Sequence, residues 1–389
     1  MAKIYLLILS TLLFLGIASC ANIAAPSGGP GKVQPPTIAS SSIQSGTTNF
    51  NDKEITLEFN NYMNRSSVIE NLNISPRTKY TYKWKGKKLN IKLNDTLEEN
   101  TTYTLQLDAN YTDYYNNSPK ESFVTVFSTG NNIENGTIHG SIVGTENKLG
   151  INVFAYNITK INANSINYST TEPDYKTTVG TNGNFTISAL KDGKYRILAV
   201  DDVDKNGLIT IKQDKIGISC FDPTLIAGNA EADVNIFINN KLFNADSSKT
   251  KDTNDIKKTD TTSETTSESQ KILMTVSGTV PQYNELQEYG NIKLLLYNDK
   301  EEHIVNIDSK GAFKFDKANE GIYHILLFVD ENNNEKFDKG SLSPFDFCEL
   351  FFPVNESLNI RNKWNITDLV ISTKYKFANH TFFKQIRNK

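Results

Sequence analysis

The chain has 389 residues, 38% of them hydrophobic and 22% charged, with a formal net charge of −3. That length holds two to four domains at roughly 100–200 residues each. Near-neutral charge excludes the basic field that nucleic-acid binding needs, and 17 Tyr with 21 Phe, many in alternating runs, favour strands.

Lys3 precedes an apolar run from Ile4 to Ile17, and Ile17-Ala18-Ser19-Cys20 closes it. A charged start, an apolar core and small residues before a cut are the layout of a secretory signal. The run is shorter than the roughly 20 residues a transmembrane helix needs. Ile-Ala-Ser-Cys resembles the lipobox of bacterial lipoproteins. The resemblance implies that residues 1–19 are removed and that Cys20 is lipidated, palmitate being among the acyl chains, and anchors the chain in a lipid bilayer. A plain signal peptide that contains a cysteine is the alternative. Ala21, not Asp, follows Cys20. In the lipoprotein sorting rule this implies the outer membrane, with the periplasmic face expected ahead of the cell surface. Residues 20–36 are rich in Pro, Gly and Ser and read as a flexible tether.

Residues 37–130 carry short alternating runs: Glu54–Phe59, Asn71–Ser75, Tyr80–Trp84, Lys88–Leu93, Thr102–Leu107 and Phe123–Phe127. Alternation of this kind predicts half-buried strands, with a hairpin turn at Gly86 and one helical turn within Tyr62–Leu72. Closely spaced strands with little helical periodicity predict an antiparallel sandwich. Leu97-Glu-Glu-Asn-Thr-Thr-Tyr-Thr-Leu105, then Asp113, then Phe127-Ser-Thr-Gly130 resemble the S-layer-type bacterial Ig-like domain. Such domains are structural and interaction modules, and the resemblance brings no catalytic residue.

Residues 136–240 predict a second sandwich, with runs at Gly140–Val143, Ile151–Tyr156, Thr181–Ile187, Leu190–Val200 and Val234–Ile238, and a hairpin turn at Gly193. Gly183-x-Phe-x-Ile followed by Leu190-x-x-Gly-x-Tyr-x-Ile resembles the carboxypeptidase-regulatory, or transthyretin-like, sandwich. Residues 244–270 are Ser, Thr and mixed charge with few apolar positions, and read as a disordered linker. Residues 272–372 repeat the second domain: 311 − 183 and 323 − 195 both give 128, pairing Gly183 with Gly311 and Tyr195 with Tyr323. The fold class is therefore all-β, tandem antiparallel β-sandwiches behind a cleaved signal peptide. Cys348 also stands 128 residues after Cys220. Equivalent positions in side-by-side sandwiches lie far apart, so both are expected as buried, unpaired thiols. The basic tail, 373–389, reads as a solvated terminus, with contact to anionic lipid as the alternative.

No catalytic constellation is legible. The four histidines lack metal-ligand spacing, no Gly-x-Ser-x-Gly elbow occurs, and the glycines at 28–31 belong to the tether. His324 reads as a surface strand residue. The expectation is a non-enzymatic envelope lipoprotein serving as a structural or binding module for a protein or glycan partner. The alternative is an envelope hydrolase or accessory subunit with an unrecognised site.

One chemical pattern remains. Asp202, Asp204 and Asn206 stand at positions 1, 3 and 5 of a loop, with Gly207 at 6 and the Leu208 carbonyl at 7. That is the oxygen spacing of a calcium loop. The repeat offers Asp330, Asn332 and Asn334, with the Lys336 carbonyl at 7 and Asp338 at 9. Position 12 holds Gln213 and Ser341 instead of a bidentate Glu, so weak calcium binding is expected, with a structural role. An Asx-rich turn held by its own hydrogen bonds is the alternative.

Overall fold

The computed structural model describes residues 34–180, 182–227, 231–238 and 273–373. Cys20, the signal segment, the tether up to residue 33, the linker at 244–270 and residues 374–389 lie outside the described residues.

The first unit is a sandwich of two antiparallel sheets. One runs β1 (Ile38–Ser41), β2 (Glu54–Phe59), β5 (Lys88–Leu93), β4 (Tyr80–Lys85). The other runs β3 (Leu72–Ser75), β6 (Thr102–Leu107), β7 (Phe123–Ser128). Alternate side chains point to opposite faces of a strand. Ile55, Leu57 and Phe59 therefore join Leu89, Ile91 and Leu93 on one inner face, and Ile74, Leu105, Leu107 and Phe127 meet them from the other. Gly86, at φ +62°, turns the β4–β5 hairpin. Helix α1 (Arg65–Glu70) is capped by Asn64, whose side chain accepts the Ser67 N–H. The buried Asp113 carboxylate accepts the N–H groups of Tyr115 at 2.8 Å and Asn117 at 2.9 Å, and the Asn61 amide at 2.9 Å. Burial works to raise its pKa, but these donors win and hold it below the usual carboxylate range.

In the second unit the strands follow the order β10 (Tyr175–Thr178), β9 (Asn152–Asn157), β12 (Gly193–Asp201), β13 (Lys215–Ser219), β16 (Ile236–Ile238), β8 (Gly136–Val143), β11 (Asn184–Leu190). The short β14 (Thr224–Leu225) adds to β12, and β15 (Glu231–Asp233) adds to β8 in parallel. The third unit has two sheets: β20 (Ala312–Ala318), β17 (Met274–Thr279), β25 (Ile366–Val370), and β19 (Glu302–Asn306), β18 (Ile292–Tyr297), β21 (Gly321–Val329), β24 (Phe351–Ile360).

The pairing pattern is the same in both units. β17 takes β20 antiparallel and β25 parallel, as β8 takes β11 and β15; β21 lies between β18 and β24, as β12 lies between β9 and β13. Two close approaches recur with it. A Cβ on Gly140 would stand 1.9 Å from the Val234 carbonyl oxygen, and one on Gly278 1.9 Å from that of Leu369. Tyr195 and Tyr323 both point into the core.

The repeat does not keep one offset throughout. On β12 and β13, Leu198 pairs with Ile218 and Ala199 with Gly217. On β21 and β24, Leu326 pairs with Pro353 and Leu327 with Phe352. The first strands are related by 128, but the second by 135 (353 − 218), so the third unit carries seven extra residues. They form the hairpin β22 (Ser341–Leu342) and β23 (Phe345–Asp346). Cys348 follows this insertion and therefore matches Gln213, not Cys220; the equal spacing of the two cysteines is fortuitous.

The insertion also overturns the expected separation of the thiols. Leu342 and Phe345 join the apolar cluster of Phe154, Tyr156, Leu198, Ile216 and Ile218 in the second unit. Phe345 lies over the Arg196 guanidinium, 3.4 Å from the ring centre. Beneath it Arg196 and Asp222 form a buried bidentate pair at 2.9 and 2.7 Å. Beside it Phe237 packs on Tyr297, Phe337 and Phe351 of the third unit, at 5.3, 5.2 and 6.3 Å. The second and third units thus share one continuous apolar core, and Cys220 and Cys348 face each other within it.

The first and second units meet through polar groups. The Arg77 N–H donates to the Asp174 carbonyl at 2.9 Å, the Asn73 amide to the Lys176 carbonyl at 3.1 Å, and Thr178 Oγ1 to Asp108 at 3.0 Å. Arg77 also pairs with Glu172.

Candidate metal-binding loops

The loop after β12 folds around its own carboxylates. Asp202 Oδ1 accepts the Asn206 N–H at 3.2 Å, and Oδ2 accepts the Gly207 N–H at 3.0 Å. Asn206 Oδ1 accepts the Leu208 N–H at 2.6 Å. Lys205 and Gly207 both take positive φ, +55° and +74°, which coils the chain tightly enough to aim alternate side chains inward. Ile209 is buried and pins the loop to the core below.

A residue outside the expected set completes the cluster. Asp214, 0% exposed, accepts the N–H groups of Val203 at 3.0 Å and Thr210 at 2.7 Å, tying the two ends of the loop together. Ligand oxygens of Asp202, Asp204 and Asp214 all lie within 4.8 Å of one another. Burial pushes the Asp202 carboxyl up; Asp204 and Asp214 add to this, while the Gly207 N–H and Lys176 oppose it. Three converging carboxylates, opposed by the one charge of Lys176 on Asp202, are a donor set for a hard cation. Asp202, Asp204, Asn206, the Leu208 carbonyl and Asp214 would supply the oxygens.

The loop after β21 has the same backbone. Asn333 and Glu335 take φ +57° and +58° at the places of Lys205 and Gly207. Asp330 accepts the N–H groups of Asn334 at 3.1 Å and Glu335 at 3.2 Å, and Asn334 Oδ1 accepts that of Lys336 at 2.8 Å. The two amides of Asn332 and Asn334 both donate to Asp338 Oδ2, at 2.6 and 2.9 Å. Here the tie is Glu349, which accepts the Glu331 and Asp338 N–H groups, each at 2.9 Å. Those donors match Val203 and Thr210 at 128, while Glu349 matches Asp214 at 135 (349 − 214), across the inserted hairpin.

The two copies differ in charge. The buried Lys293 ammonium stands 3.9 Å from Asp330 and 3.7 Å from Glu335 in the third unit. It puts a cation within ion-pair distance of that loop, whereas in the second unit Lys176 acts on Asp202 through its charge. Burial raises the Glu349 carboxyl to about 7; the Asp338 N–H opposes this, and the charges of Asp338 and Asp330 add to it. Of the residues singled out by spacing, Asp202 and Asp204 are drawn into a carboxylate cluster, Asn206 and Leu208 line the same turn, and Asp330, Asn332, Asn334 and Asp338 form a turn satisfied by its own hydrogen bonds. Asp214 and Glu349 were missed. Asp214 lies one residue beyond the position scanned, and the insertion displaces Glu349.

A cleft of about 480 Å³ opens between the second and third units, lined by Phe237, Tyr297, Glu301, Glu302, His324 and Lys339 among others. His324, on β21, is partly exposed there, with its ring 5.4 Å from that of Tyr297. The Glu301 carboxylate is occupied: Tyr323 Oη donates to it, Asn319 donates at 2.8 and 2.9 Å, and His303 Nε2 stands at 3.3 Å. The Tyr323 hydrogen bond is the chief reason its pKa lies below the ordinary value, with Asn319 and His303 adding to it against burial. Glu302 pairs with Lys339. A general acid needs a raised pKa, which this arrangement works against at Glu301.

No curated protein sequence matches the chain. Solved structures similar to it include the N-terminal part of the bacterial S-layer protein SbsC, at 15% identity over 47% of this chain and 40% of that one, TM-score 0.19. BcpA, the major pilin subunit of Bacillus cereus, is similar at 10% identity over 54% and 71%, TM-score 0.18. An L,D-transpeptidase from Mycobacterium smegmatis is similar at 14% identity over 42% and 76%, TM-score 0.20. The chain covers less than half of the S-layer fragment's length, and likeness this slight says nothing about activity. Residues 32–129 match the family described as bacterial Ig-like domain, and this stretch is the two-sheet sandwich of the first unit.

Proposed function

We propose that this chain is an envelope lipoprotein that works as a non-enzymatic structural or binding module. Acylated Cys20 holds it to the outer membrane, on the periplasmic face, and the transthyretin-like second and third units stand beyond the Ig-like unit. The observation that carries this reading is the continuous core joining the second and third units. A shared core makes them one stiff body, which suits a part that presents a surface at a fixed distance. The partner is an envelope protein or a glycan. Calcium, where bound, sits in the second unit's loop through Asp202, Asp204, Asn206, the Leu208 carbonyl and Asp214. Its role is to stiffen the end of the sheet. The carboxylate-lined cleft is the observation that favours the second reading, a hydrolase. Against it, Glu301 and Glu302 are taken up by protein donors.

Cell fractionation of Cys20→Ser tests the anchor. The variant is expected to be unlipidated by mass and absent from the membrane fraction; normal retention would sink the lipoprotein reading. Cross-linking of the wild-type protein in its own membranes tests the module. Recovery of a defined partner supports it, and hydrolysis of envelope glycan by the purified chain overturns it.

A further inference from the structure

We propose that Cys220 and Cys348 are joined in an intrachain disulfide that fastens the inserted hairpin of the third unit to the second. The proposal rests on the reading of the chain as exported, because structural disulfides persist in oxidising compartments. Both thiols are buried. Cys220 follows β13, and Cys348 follows the hairpin β22–β23. The Cys220 Sγ lies 3.2 Å from the carbonyl oxygen of Glu349, the residue bonded to Cys348. The Cys220 thiol is also near enough to act on that of Cys348. Thiol-to-thiol contact between fixed segments is the placement a disulfide needs.

The surroundings keep those segments in place. On one side Phe345 is stacked on Arg196, and Arg196 is locked to Asp222, two residues from Cys220. On the other side Glu349 holds two backbone N–H groups of the loop after β21. The seven-residue insertion brings Cys348 to a site with no cysteine counterpart in the second unit. The bond therefore links two different points of the repeat across one interface.

Bond formation removes a proton and an electron from each thiol. The acceptor is the disulfide of an envelope thiol oxidase. One cysteine, as its thiolate, attacks that disulfide and forms a mixed disulfide. The other cysteine then attacks the mixed bond and releases the oxidase as a dithiol carrying both electrons. Burial pushes the Cys348 thiol up, and a buried neutral thiol is a poor nucleophile. Closure therefore belongs to the folding chain, before the hairpin seats.

The test uses the full chain from the envelope, denatured in maleimide without reductant, digested and weighed. The expected result is a linked peptide pair containing Cys220 and Cys348, two hydrogens lighter than the sum of the reduced peptides, with neither cysteine alkylated. A second arm refolds the reduced full chain in oxidised and reduced glutathione, which reads the pairing without regard to cellular location. The same linked pair is expected, and reductant should lower the Tm of the wild type but not of Cys348→Ser. Complete alkylation of both cysteines in the refolding arm overturns the proposal. So does alkylation in an envelope sample whose wild-type chain fractionates with the membrane. A linked pair after refolding, from a chain that never reaches the envelope, upholds the pairing and refutes the export reading instead.

Discussion

Replacing Asp214 by Ala is the sharpest test of how the loop after β12 is held. The side chain is fully buried, and its two oxygens accept the Val203 and Thr210 N–H groups at 3.0 and 2.7 Å. A donor left without a partner costs about 1–3 kcal/mol if it stays dry. Val203 is an exposed residue, so water can reach one of the two donors, and the lower half of that range applies to it. The sum is about 2–5 kcal/mol. In a body of this size, with ~2–4 °C per kcal/mol, the Tm falls by roughly 4–20 °C. The assay is thermal denaturation of the full chain in chelator, which removes any calcium contribution. Asp204→Ala is the control. Asp204 is exposed and accepts hydrogen bonds from Asn206 and Thr210 of its own loop, so its loss costs under about 1 kcal/mol. With calcium present the order changes. At a Kd near ~1 mM, 10 mM calcium adds about 1.4 kcal/mol to the wild type, and Asp204→Ala forfeits this gain. A Tm loss below about 2 °C for Asp214→Ala in chelator would refute the argument that this carboxylate ties the loop. An undiminished calcium response in Asp204→Ala would reduce the cluster to a turn.

Gly140→Ala and Gly278→Ala each place a methyl carbon 1.9 Å from a carbonyl oxygen of the neighbouring strand. Each should cost about 3 kcal/mol or more and lower soluble yield, and an unchanged denaturation midpoint would contradict the close approach. Arg196→Met strands the buried Asp222 carboxylate, a loss of about 3–5 kcal/mol, and adding Asp222→Leu should restore part of it. A double-mutant cycle with no coupling would argue against the pair. Glu349 gives the pH dependence. Its carboxyl, raised by burial to about 7, keeps its proton in the fold where an unfolded carboxyl has lost it. Its stabilising contribution is therefore full below the ordinary carboxylate range and is lost as pH rises through about 7. Tm measured from about pH 5 to 8 should fall less steeply in Glu349→Gln, and parallel curves would refute this.

Much of the fold was legible because period-two patterning is local. Glu54–Phe59 and Lys88–Leu93 bury alternate residues, as their sequences require. The turn glycines Gly183 and Gly311 take the same positive φ, +83° and +80°, so their spacing reported a real repeat. What failed was the assumption that one offset runs to the end. The hairpin β22–β23 has strands of two residues each, too short for any periodicity to show. No periodicity marks Leu342 and Phe345, or Phe347 just after them, as packing residues. They are in fact the contact with the second unit: Leu342 and Phe345 fill its outer cluster, and Phe345 and Phe347 both lie against Arg196. The missed carboxylates have the same origin. The loop needs an acceptor for two backbone N–H groups, and that need is satisfied by any carboxylate whose strand passes the spot. Asp214 reaches it after four residues from Thr210, and Glu349 after eleven from Asp338. The requirement lies in three-dimensional position, not in spacing along the chain, so a spacing rule borrowed from a shorter loop finds neither. For the same reason the matching interval between Cys220 and Cys348 carried no information. Its apparent regularity arose because an insertion moved Cys348 off the repeat and into contact with Cys220.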